Sequence, residues 1–201
     1  MNVAVDFIVT LCIRKNIIKE ENIAWFRYGL EKRIVTLVVG IPFVLMGIAI
    51  SNIWTALSFF LSFFFLRTRM NGYHAKSILG CLICSLALEL LFLGGIAHWI
   101  NNYSAGVIMA LVLITTFTVA PYNHSNMHLT SNELSACKIA VRIRYSILLV
   151  ILGVCILHKW TAITKGIASG CAMAGTLLCF AYIIDWRTQN GETADKDFEN
   201  N

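Results

Sequence analysis

Charge is what this chain has least of. Asp, Glu, Lys and Arg together make up 13% of its 201 residues, while hydrophobic types make up 58%; an ordinary soluble domain carries roughly a quarter charged residues. The apolar excess is gathered into long uncharged runs rather than into the amphipathic stripes of a soluble core, which excludes a soluble globular domain. A glycine-rich phosphate loop, an internal repeat and a low-complexity tract are also missing, which argues against nucleotide-driven pumps and solenoids. Asp6 comes before any Lys or Arg, and residues 1–33 carry no cleavage site, so no secretory signal is expected to be removed. Seven cysteines, an odd number lying mostly inside apolar runs, do not make a secreted disulfide framework. Cys12, Cys155, Cys171 and Cys179 read as small apolar packers and Cys137 as an intracellular thiol.

The runs themselves predict an all-α, polytopic integral membrane protein with about six transmembrane helices, near 34–50, 53–66, 78–97, 105–121, 145–157 and 163–184. A helix needs about 20 residues to cross the roughly 30 Å hydrocarbon layer, so the second and fifth runs fall short unless polar flanks extend them. Ser51-Asn52 is the break in 33 uncharged residues between Arg33 and Arg67, a length too great for one span and tight for two.

Basic residues test the count, because Lys and Arg collect in cytoplasmic connections. Fourteen of the 16 lie before the first run, in alternate connections or after the last run; only Lys159 and Lys165 fall on the other side. Both termini are therefore expected in the cytoplasm, in one membrane domain over 1–188. The net charge of +5 suits anionic lipid headgroups or an acidic substrate and needs no nucleic acid. Residues 1–33, with Phe7, Leu11, Trp25 and Phe26 among basic residues, form either interfacial amphipathic helices or a cytosolic helix before the first span. The polar segment 189–201 is too poor in apolar residues to pack and is expected to be disordered.

Where a polar connection runs into the third apolar run, His74 and Cys81 stand seven residues apart, a candidate base and nucleophile. With Ser77 as cap, Cys81 falls near the first turn of a helix, where the dipole and the cations Arg67, Arg69 and Lys76 favour a thiolate. In one continuous helix the two side chains would lie about 10 Å apart along the axis, too far for proton transfer. His74 must therefore sit in a segment that folds back, for which Gly72 supplies the backbone freedom.

Asn71-Gly72-Tyr73-His74-Ala75 followed by Cys81 resembles the Gly-Gly-Tyr-His-Ala signature, with its downstream cysteine, of the accessory gene regulator B family; Asn71 stands where that signature has glycine. The chain length, the basic loop and the segment Ala120-Pro121-Tyr122-Asn123-His124 are similar too. The resemblance implies a bacterial cell-membrane cysteine endopeptidase with a cytoplasmic active site, Cys81 and His74 catalytic, and no cofactor or metal. Its substrate would be a small peptide precursor, accessory gene regulator D-like, cyclised to a thiolactone quorum-sensing signal. The lipid bilayer is the other partner, and a homodimer stays open. Arg67, Arg69 and Lys76 suit an acidic precursor tail or simply anchor span ends.

Two readings compete. Cys81-Leu-Ile-Cys84 is a Cys-x-x-Cys pair, which fits a membrane thiol oxidoreductase, although the basic residues place it on the reducing side. Glu89, deep in the third run, is costly as an ion and fits substrate orientation, a bridge to Lys165, or a small carrier. His124 and His128, four apart, lack a third ligand nearby and read as a loop rather than a metal site.

Overall fold

A computed structural model of the chain describes residues 2–15, 23–70, 78–121 and 131–199. Every regular element among them is helical: α1 Asn2–Arg14, α2 Ile23–Ile50, α3 Ile53–Met70, α4 Ile78–Glu89, a π-helical segment Leu90–Ile96, α5 Ala97–Trp99, α6 Asn102–Thr118, α7 Ser131–Leu157 and α8 Thr161–Glu199. Each of the six expected runs lies largely within helix. Three stretches are long and apolar enough to cross a membrane: 82–99, 131–157 and 161–184. Gly40–Ile50 and Asn102–Thr118 are shorter apolar helices, and α3 ends in Arg67 and Arg69.

The chain divides into two compact units, Met1–Phe43 and Val44–Asn201. In the first, Val5 and Val9 are buried on α1. Arg27 Nη2 pairs with Asp6 Oδ1 at 2.6 Å, both side chains about half exposed, a contact worth little in water. α2 runs without interruption from Ile23 into the first apolar run, with Pro42 inside it. Proline has no N–H to give the ladder and its ring crowds the preceding turn.

The second unit is organised around α8. Of its apolar window 61% is buried, against 28% for α7 and 22% for residues 82–99. Its broadest packing is against α3, then α6 and α7. Composition explains why: Gly166 and Gly170, one turn apart, leave no side-chain bulk where α8 meets α3. A Cβ on Gly166 would run into Ser58 Oγ and the Thr55 carbonyl, and one on Gly170 would stand 2.5 Å from the Phe59 carbonyl. Backbones thus meet directly through a Gly-x-x-x-Gly spacing, the way helices associate where lipid leaves no hydrophobic drive between them. Outward, α7 shows Ile139, Ile143, Ile147, Val150 and Leu157, a face suited to acyl chains.

Helix starts and stops follow local chemistry. Asn52 Oδ1 accepts from Thr55 N at 2.9 Å, and Asn101 and Ser104 form a reciprocal capping box, so α6 begins at 102 rather than 105. α7 ends with Lys159 N donating to Ile156 O (3.1 Å) and Trp160 N to Cys155 O (2.9 Å). That is a Schellman pattern, with Lys159 at φ 58° in the position that favours glycine. α7 starts at 131, earlier than its apolar run at 145, because the polar Ser131–Arg144 stretch is helical without being apolar. The backbone of α8 continues helically to Glu199, past 189 where composition alone suggests disorder; a helix once nucleated propagates at little cost per residue.

Candidate functional site

The last turns of α3 and α6 both meet the middle of α7, through Arg144 and Arg142, and α4 is the next described helix after α3. Cys81 is the fourth residue of α4, inside the turn whose N–H groups have no intrahelical partner and carry partial positive charge. His74, Gly72 and Lys76 lie outside the described residues, as do His124 and His128. Cys84, one turn further along α4, is a half-buried free thiol.

Basic side chains from two helices meet near the α3 terminus. Arg144 Nη1 donates to the Phe65 carbonyl at 2.7 Å and to Thr68 Oγ1 at 2.5 Å, with its guanidinium 4.9 Å from the Phe65 ring centroid. A cation there meets the negative end of the α3 dipole and the ring face. Arg69, exposed on the last turn of α3, is within electrostatic range of Arg144. Arg67, two residues before it, is half-buried.

Two residues before Arg144, Arg142 points to a different neighbour. Its guanidinium lies 4.7 Å from the Phe117 ring near the end of α6. Side chains two apart on a helix diverge by about 200°, so α7 grips α3 with one arginine and α6 with the other. Below them Tyr145, fully buried, donates its hydroxyl to the Met109 carbonyl of α6. Neither arginine stands out in the sequence beyond its place in a basic connection; the visible signal is an Arg-x-Arg pair on an otherwise apolar helix.

Glu89 lies elsewhere. It is eight residues from Cys81, about 12 Å along the axis, and only 1% exposed. A Cβ at Gly47 would stand 2.7 Å from its Oε1, so a residue without a side chain makes room for the carboxyl. Oε2 finds no hydrogen-bond partner in the described structure. The bridge to Lys165 does not form: Lys165 Nζ turns instead to the His98 carbonyl at 3.5 Å. The π segment begins directly after Glu89, where the ladder shifts register.

Among the described residues, no three of His, Cys, Asp and Glu gather in a way that would hold a metal. The described residues offer a cysteine in the opening turn of α4 and, where α3 meets α7, arginines of a kind suited to carboxylates.

Comparison with curated proteins and with solved structures found no match. The family profile of accessory gene regulator B, by contrast, matches residues 5–183, a stretch that takes in Asn71–Cys81, the arginines of α3 and α7, and the apolar part of α8. With nearly its whole length matched, this chain belongs to the accessory gene regulator B family.

Proposed function

We propose that the protein is a membrane cysteine endopeptidase that cleaves a small peptide precursor and closes the retained part into a thiolactone. The observation that carries this reading is the position of Cys81 in the opening turn of α4, directly after the Asn71–Ala75 motif, in a chain of this family. A thiol there is favoured as thiolate by the helix terminus. Six spans with both termini cytoplasmic would turn Cys81 toward the compartment where the precursor is made.

His74 takes the thiol proton and the Cys81 sulfur attacks a peptide carbonyl carbon of the precursor. The C–N bond breaks, and protonated His74 gives its proton to the departing amine. The acyl group is then held on Cys81 as a thioester. A cysteine inside the precursor loses its proton to His74, attacks that thioester and takes over the acyl group, while Cys81 leaves and is reprotonated. One thioester replaces another, so the step lies near energy balance provided water is kept out. Arg67, Arg69 and Lys76 hold acidic residues of the precursor by charge-assisted hydrogen bonds.

The test is cleavage of a synthetic precursor with a central cysteine and an acidic tail, read by mass spectrometry in membranes bearing the full chain. Wild type and Cys84→Ser should release the tail and yield a retained fragment one water lighter than its acid. His74→Ala and Cys81→Ser should release none. Normal cleavage by Cys81→Ser would refute the mechanism, and loss of activity in Cys84→Ser would favour dithiol chemistry instead.

A further inference from the structure

At the end of the second unit away from Cys81, the N-termini of α6 and α8 open onto one cleft. It is a surface cleft of about 600 Å³, lined by Ile100, Asn101, Asn102 and Tyr103 on one side and Thr161, Thr164 and Lys165 on the other. That volume is within the range of small-molecule sites. We propose that this cleft binds the phosphate of an anionic phospholipid headgroup, with Lys165 as its counter-charge.

Three independent features support this occupant. Lys165 makes a long 3.5 Å hydrogen bond to the His98 carbonyl and no ion pair among the described residues, and the sequence places no Asp or Glu between Glu89 and Glu133 or between Glu133 and Asp185. Its charge therefore meets no acidic residue of the adjoining connections. Two helices also direct their first turns here. The Asn101 cap takes the Ser104 and Ala105 N–H groups of α6, leaving the earlier N–H groups as donors the helix itself does not use.

Depth is the third feature. Cys81 and Ile100 are 19 residues apart along one nearly continuous helical path, about 28 Å, close to one hydrocarbon thickness. Around the cleft, Trp99 is 86% exposed, Tyr103 83% and Trp160 52%, the amphipathic aromatics that settle at headgroup level. A phosphate carrying acyl chains fits this setting better than a freely diffusing anion, because its charge arrives at the lysine's depth while its chains lie against exposed apolar residues.

The experiment uses the purified full chain in neutral detergent, with native mass spectrometry counting retained lipid as phosphatidylglycerol or phosphatidylcholine is added. Wild type should retain phosphatidylglycerol at concentrations about tenfold below those needed for phosphatidylcholine. Lys165→Gln should lose that preference, Lys165→Arg should keep it, and Lys159→Gln, which removes a charge from the same connection but not from the cleft, should also keep it. The arginine variant separates loss of charge from loss of fold. Equal retention by Lys165→Gln, or equal loss in Lys159→Gln, overturns the site. Displacement of the lipid by millimolar inorganic phosphate would assign the cleft to free phosphate and overturn the lipid reading.

Discussion

Arg144 holds α3 through its terminal carbonyl region, with two hydrogen bonds from Nη1 and its guanidinium near the Phe65 ring, and the planar guanidinium stacks on a ring in a way a compact ammonium does not. Arg144→Ala should cost about 1–3 kcal/mol, measured by steric-trapping or denaturant unfolding in micelles, and Arg144→Lys should recover less than half of it. If lysine restores full stability, the guanidinium plane is irrelevant and only charge matters. Lys159 makes the opposite forecast. A non-glycine residue at φ 58° carries a backbone cost of roughly 1 kcal/mol, so Lys159→Gly should stabilise the fold by a similar amount in the same measurement; a destabilised variant would mean that the lysine side chain outweighs its backbone.

Among the elements, the α3–α8 contact is the least tolerant of added volume. Ser58, Phe59 and Ser62 on α3 already touch the places where Gly166 and Gly170 have no Cβ. Gly170→Leu should therefore cost more than the 1–3 kcal/mol typical of overpacking, read as loss of folded protein in micelles, while Gly153→Ala, with open space around it, should be near neutral. An unaffected Gly170→Leu would show that these helices do not pack as described. Much of this architecture was open to the sequence: each of the six uncharged runs lies largely within helix, and Ser51-Asn52 marked the break between α2 and α3, whereas the Asn101 cap that starts α6 three residues early was not read. The early start of α7 was hidden because Ser131–Arg144 is helical by continuity rather than by hydropathy. The partners of Arg142 and Arg144, and the room Gly47 makes for Glu89, depend on which helices become neighbours, which no single segment encodes.

Across the whole molecule, basic residues predict the orientation that the packing leaves open. Single cysteines placed at Ser51, Asn101 or Ser131 in a variant lacking native cysteines should separate by side: the first two should react with an impermeant maleimide in intact cells, and the third only after permeabilisation. Labelling of all three from outside would break the six-span arrangement. The π segment Leu90–Ile96 adds a further consequence, one of heredity. A π segment accommodates one residue more than an α-helix of the same phase, and Gly94-Gly95 within it weakens the local preference for the regular ladder. The path from Cys81 to Trp99 can thus lose a residue there without turning either end. Deletions among descendants of this sequence should collect between 90 and 96, and a chain shortened by one residue at Leu91 should still fold, where the same deletion at Phe59 should not.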